Sequence, residues 1–204
     1  MNDQPGLRER KKQRTRETIA RAAHELFAER GYYETTLPDI AEAADVSTRT
    51  IFAYFPSKED ILFSDFEVLK DALAQALADR PEGEEALETV RAFILSSHAM
   101  QRSELDDQLN HCIEKDETLR SHLRARLAQL EELIATAIAK DIGASKDDLR
   151  PHVVAASLTA AFIALSERSD AKTKPKSAAD VAALIDPVIT FLRGGLDALQ
   201  APSS

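Results

Sequence analysis

Tryptophan is absent, cysteine occurs once, and aromatic residues make up only 5% of the 204 positions. A single cysteine excludes an internal disulfide framework and any cysteine-based zinc site. Six glycines and eight prolines are few for this length, so long regular helices are favoured over a turn-rich sheet. Long apolar runs are also missing. The longest run without Asp, Glu, Lys, Arg or His, Val153 to Ser166, has fourteen residues, short of the roughly 20 that span a bilayer. The basic N-terminus is not followed by an apolar segment, so it does not read as a signal peptide. A reducing, cytoplasmic location is expected. Positive charge is in deficit, with 26 Lys+Arg against 35 Asp+Glu and a net charge of −9. As a bulk number this argues against a protein that coats nucleic acid through excess positive charge.

What is present is an ordinary globular balance, 44% hydrophobic and 30% charged, with much Ala and Leu. The charge is unevenly spread. Residues 1–62 carry ten Lys/Arg and eleven Asp/Glu, a net of −1, and the remaining −8 lies beyond Leu62. Residues 1–16 carry Arg8, Arg10, Lys11, Lys12, Arg14 and Arg16 against Asp3 and Glu9, a net of +4. Such an arm is either a solvated terminus or a phosphate attachment, with Arg14 a candidate contact.

The residues that follow point to attachment. Ile19, Ala22, Ala23, Leu26 and Phe27 form one helical stripe from Arg14 to Arg30, closed by Gly31. Thr36 with Asp39 has the capping-box pattern for a second, short helix. Asp45-Val46 interrupts it. Ser47 caps a third helix that runs to about Tyr54, and Pro56 stops that helix. Ser57 with Asp60 caps a fourth, expected to run unbroken through Leu62, Phe66, Leu69 and Leu73. Two short helices joined by a tight turn form a helix-turn-helix arrangement. Thr48 and Arg49 sit near the start of the second, where a recognition helix meets base edges. Arginine is the commonest bidentate partner of guanine, and threonine bonds a base or touches the thymine methyl. Tyr54 and Lys58 are placed to reach phosphates. Capping alone also accounts for Thr36 and Ser47, and packing or plain surface exposure for Tyr54 and Lys58.

The stretch AHELFAERGYYETT over residues 23–36 resembles the opening of TetR-family repressors. So do IAEAADVS over residues 40–47 and TIFAYFPSKEDIL over residues 50–62. The resemblance covers about fifty consecutive residues with the spacing unbroken. It implies that Thr36, Ser47, Thr48, Arg49, Tyr54 and Lys58 occupy DNA-contacting positions. The family often has Gly or another small residue where this chain has Arg49.

The helical reading continues from Glu85 to about Met100, from Ser103, and from Leu119 to Gly143. Two more helices follow, from about Asp147 to Arg168 and from Ala178 to about Leu199, the last with Pro187 expected to kink or split it. The fold class is therefore all-α with about nine helices. An N-terminal helix-turn-helix domain is expected at 1–62 and an effector-binding and dimerisation domain at 63–204. The last two helices carry apolar or small residues on more than one side, so they need burial on two sides. The resemblance implies that they form a homodimer interface. It also implies an effector pocket, with Phe66, Leu69, Phe93, Ser97, Met100, Leu109, Cys112, Leu158 and Phe162 as candidate lining residues. For each of these, ordinary core packing is the competing reading. The segment FEVLKDALAQALADRPEG over residues 66–83 resembles an actinobacterial subgroup whose ligands are acyl-CoA-like. The acidic body does not favour a polyanion such as CoA, and a cationic or neutral lipophilic effector fits equally.

The function expected is a ligand-responsive DNA-binding repressor, released from a palindromic operator by a small lipophilic molecule. The alternative is an all-helical protein-interaction module without effector control. No Gly-rich phosphate loop or nucleophile elbow is present, so no enzyme and no cofactor is expected. His111 and His122 would share a helix face only on one continuous helix, about 16 Å apart, so no metal site is expected either.

Overall fold

The computed structural model describes residues 6–97, 103–168, 175 and 177–200 and contains no strand among them. Ten α-helices follow in order: α1 (Leu7–Arg30), α2 (Leu37–Ala43), α3 (Thr48–Tyr54), α4 (Lys58–Leu62), α5 (Ser64–Ala78), α6 (Ala86–Ser96), α7 (Glu104–Glu114), α8 (Glu117–Ile142), α9 (Arg150–Arg168) and α10 (Ala178–Gln200). Contacts divide the chain into two units, Met1–Val68 with Ser103–Leu123, and Leu69–Arg102 with Arg124–Ser204. The all-α fold class stands, with one helix more among the described residues than expected.

In the first unit the helix ends are set by short-range chemistry. Gly31 closes α1 at φ 94°, its N–H donating to the Phe27 carbonyl at 3.0 Å, a backbone angle that a side chain would strain. Thr36 and Asp39 make the full capping box at the start of α2. Asp45 turns the chain at φ 53°, a region in which Asp is among the better tolerated residues. This lets Val46 N–H return to the Ala41 carbonyl at 2.9 Å and keeps the α2–α3 turn tight. Pro56 favours extended backbone before it, and Phe55 ends α3 at φ −136° and ψ 117°. The core beneath is formed by Ile19, Phe27, Ile40, Ile51, Phe55 and Ile61, all buried, with Leu109, Ile113 and Leu119 from α7 and α8. Each large side chain buried this way contributes about 1.5–3 kcal/mol.

One expectation about helix continuity is corrected. The fourth helix is not continuous: Phe63, at φ −99° and ψ 19°, separates α4 from α5. Of the kink or split expected at Pro187, the split does not occur, since α10 runs as one helix through it. Ile185 and Ile189 on either side are buried and hold the helix to the core. Pro187 and Ala183 lie on the exposed side, so the Ala183 carbonyl that loses its helical donor stands at the surface.

The second unit has its own core of Leu73, Leu77, Ala86, Leu87, Val90, Ile138, Ala155, Leu158, Ile185 and Ile189. α10 packs on α9 and α6. Arg91 donates to Asp186 at 2.7 and 3.1 Å and to Glu88 at 3.1 Å. Arg193 reaches Glu85 and Glu88 at 2.9 and 3.3 Å. These charges are part-exposed, so they set the α6–α10 register more than they stabilise it. Asp141 has a larger role. Glu85 at the start of α6 makes no side-chain cap, and Asp141 supplies one from α8, accepting from the Ala86 N–H at 2.6 Å while pairing with Arg80. Arg80 and Asp141 side chains are only 16% and 21% exposed. Asp141→Ala leaves a shielded guanidinium and a helix N–H without acceptors, and should lower the unfolding free energy by about 2–3 kcal/mol, read by urea denaturation.

Candidate nucleic-acid interface

The site is built on a helix of seven residues. Ser47 caps α3, accepting from the Thr50 N–H at 3.0 Å and sharing a hydrogen bond with the Thr50 hydroxyl at 2.7 Å. Ile51 and Phe55 are buried beneath it. The opposite side of α3 presents Arg49, Phe52 and Ala53 to solvent, with Thr48 half-buried. The Arg49 guanidinium has no partner among the described residues. Phe52 is 55% exposed and stands three and four positions after Arg49 and Thr48, on the same helix face. The face therefore offers a guanidinium for guanine, a hydroxyl, and an apolar ring for a thymine methyl.

Thr36 is exposed, but its side chain is held by Asp39. The threonine hydroxyl and N–H donate to the Asp39 carboxylate at 2.5 and 2.8 Å, and the threonine hydrogen bonds keep that carboxyl below its usual range. Tyr54 is half-buried against the core. Arg14 is exposed on α1, its guanidinium without a partner among the described residues, as part of a helical basic face that includes the exposed Arg8, Lys11 and Lys12. The arm is thus ordered as the start of α1 from Leu7 onward.

Lys58 differs from its expected phosphate-facing placement. Its ammonium donates to the Tyr32 and Thr35 carbonyls at 2.8 and 3.0 Å and lies 4.1 Å over the Tyr32 ring. Burial holds its pKa below the usual lysine range. The turn between α1 and α2 has carbonyls that no helix N–H serves, and Lys58 supplies the donors.

Two residues were not singled out by sequence reasoning. Phe52 was visible in principle through its i+3 and i+4 spacing from Arg49 and Thr48. Arg16 carried no such signal, because its partner lies 38 residues on. Its guanidinium donates to the Tyr54 carbonyl at 2.9 Å and sits 4.3 Å over the Phe55 ring. It satisfies the C-terminal end of α3 and fixes that end to α1.

The candidate effector residues fall in both units. Leu109 is buried and Phe66 and Cys112 are part-buried against the first core. Leu158 is buried in the second core, with Phe93 and Phe162 packed against it. Leu69 is half-buried, the Ser97 hydroxyl donates to the Ile94 carbonyl at 3.2 Å, and Met100 lies outside the described residues. His111 is on α7 and His122 on α8. Among the described residues no group of His, Cys, Asp and Glu could hold a metal ion, and no helix is long and apolar enough to cross a membrane.

Residues 19–64 match the family of bacterial regulatory proteins named for tetR, and residues 84–197 match the MftR C-terminal domain. The chain belongs to the TetR family. It is 34% identical over 161 residues to the HTH-type transcriptional regulator TcmR of Streptomyces glaucescens, across 74% of this chain and 71% of that protein. A Mycobacterium tuberculosis regulator named MftR for mycofactocin biosynthesis is 30% identical over 149 residues, 72% of this chain and 75% of that one. The fold also matches SmeT, the repressor of the Stenotrophomonas maltophilia multidrug efflux pump SmeDEF, with a TM-score of 0.59 at 20% identity over 86% of this chain and 89% of that one. This TetR-family chain is therefore a DNA-binding, helix-turn-helix transcriptional regulator and not an enzyme. Regulators of the family bind operator DNA, dimerise and bind small-molecule effectors.

Arg16→Ala removes both the carbonyl donor and the cation–π contact that hold α3. It should lower the unfolding free energy by about 1–2 kcal/mol, measured by chemical denaturation.

Proposed function

We propose that this protein is a cytoplasmic, homodimeric repressor that leaves a palindromic operator when a small lipophilic molecule binds. Residues 1–62 do the reading, and residues 63–204 carry effector binding and dimerisation. The observation that carries the reading is the exposed side of α3, where Arg49 projects without an intramolecular partner beside Thr48 and Phe52. Arg49 takes the base contact, with Thr48 and Phe52 beside it. Arg14 and the basic face of α1 meet phosphates, and Tyr54 meets the backbone nearby. Thr36 and Ser47 act mainly as caps that orient α2 and α3, and their helix N-termini favour phosphate. Lys58 braces the turn behind them.

Dimerisation has its own support. On α9, Val153, Ala156, Ser157, Ala160 and Ala164 are exposed along one face, and on α10 so are Ala183, Pro187, Phe191 and Gly194. These are small or apolar side chains, with Phe191 76% exposed. With Ser157, Ala161, Pro187, Val188 and Leu192, Phe191 lines a shallow apolar groove of about 290 Å³. A two-fold axis brings each Phe191 to its partner's groove, the self-complementarity that an isologous interface requires. A dimer also spaces two copies of α3 for two half-sites.

The effector reading rests on Leu69, Phe93, Ser97, Leu158 and Phe162 of the second unit, which are mostly apolar with one hydroxyl, the chemistry a lipophilic ligand needs. An acyl-CoA-like ligand is the finer version of this reading.

Arg49→Ala should weaken binding to a duplex selected by the wild-type protein from a randomised pool by about 1–3 kcal/mol and relax the preference at one base in each half-site. Titration with single-base variants of the duplex reads both effects. Phe191→Glu should convert the dimer to a folded monomer in sedimentation equilibrium, and should lower operator affinity with it, because a charge buried at the two-fold axis has no partner.

A further inference from the structure

His24 is a buried polar residue for which neither helix packing nor base reading has a use. It is 6% exposed in the middle of α1. Its Nε2 lies 3.0 Å from the Ile61 carbonyl and 3.1 Å from the Leu62 carbonyl. Its Nδ1 faces the Asp65 carboxylate at 3.8 Å. Ile61 and Leu62 are the last residues of α4, and Asp65 lies in the first turn of α5, so one imidazole touches both sides of the break at Phe63.

The break itself explains the contact. In a continuous helix the Phe66 N–H would donate to the Leu62 carbonyl. Here it donates instead to Phe63 at 3.1 Å, and the Leu62 carbonyl is left without its helical donor in a buried position. Leu62 is 5% exposed and Ile61 fully buried. A carbonyl in that setting needs a donor or costs free energy. Both groups facing Nε2 are acceptors, so Nε2 is assigned a ring proton. The single N–H is shared between them.

We propose that His24 is a positioning residue for operator recognition. It stabilises the interruption between α4 and α5 by replacing the helical donor lost there, and so fixes where the reading unit's last helix ends. The inference rests on the DNA-binding reading above. α4 packs on α1, and α1 holds the end of α3 through Arg16. The joint at His24 therefore belongs to the same frame that presents Arg49. Without the donor, the cheaper arrangement is a straight α4–α5 helix, which moves α4 against α1.

The chemistry makes the test specific. A glutamine side chain carries its N–H donor at about the same reach as Nε2, whereas asparagine places its donor where Nδ1 stands. His24→Gln should keep affinity for the selected duplex within about threefold of wild type, and His24→Asn should lose about tenfold, at a temperature where circular dichroism shows both folded. Amide exchange adds a readout that lost stability alone would not give. In His24→Asn the Phe66 amide should gain protection as the helix becomes continuous, while the amides of α1 lose it. Long-range ¹H–¹⁵N spectra of the wild-type protein should show the neutral His24 ring protonated at Nε2. Equal affinities for the two variants, or a ring protonated at Nδ1, would overturn the proposal. If the wild-type protein selects no duplex at all, it is the DNA-binding reading that fails, and the tautomer and exchange results still decide the role of His24 at the break.

Discussion

A helix of seven residues does not hold its shape alone in water, because its nucleation cost exceeds what so few hydrogen bonds return. The proposed reading surface of this protein is such a helix. Its direction is set by what grips it: Ile51 and Phe55 buried below, the Ser47 hydroxyl at one end, and Arg16 at the other. Three charged side chains hold backbone ends in the same way. Lys58 does this at the α1–α2 turn, Asp141 at the start of α6 in the second unit, and Arg16 at the end of α3. In each case a short element leaves N–H or C=O groups without helical partners, and a side chain distant in sequence supplies the bond.

The charge pattern follows the same division of labour. Acidic residues dominate beyond Leu62, and the basic residues of the arm lie on the exposed side of α1. On the proposed reading, the negative body repels DNA and the positive arm admits it, so net charge shapes the approach and limits non-specific coating while Arg49 carries sequence discrimination.

The chemistry that is local in sequence was legible. The capping box at Thr36, the cap at Ser47, the stop at Gly31 and the buried stripe of α1 all depend on residues within a few positions of one another. The short helix α3, with Thr48 and Arg49 at its start, followed from the same rules. What was not legible depends on distant partners. The break at Phe63 occurs in a stretch whose apolar spacing fits a continuous helix, and only the tertiary packing of α4 and the donor at His24 show why it interrupts. Lys58 reads as a cation beside a helix start until the carbonyls of Tyr32 and Thr35 are seen next to it. Pro187 reads as a helix breaker until its exposed position between two buried isoleucines is known.

The central claim is that the exposed side of α3, led by Arg49, makes the base contacts. The most direct measurement is methylation interference at guanine N7 on a duplex selected by the wild-type protein, repeated with Arg49→Ala under conditions where both bind. The account predicts symmetric interference at one guanine in each half-site with the wild-type protein, and loss of that signal alone with the variant. An interference pattern unchanged by the substitution would contradict it.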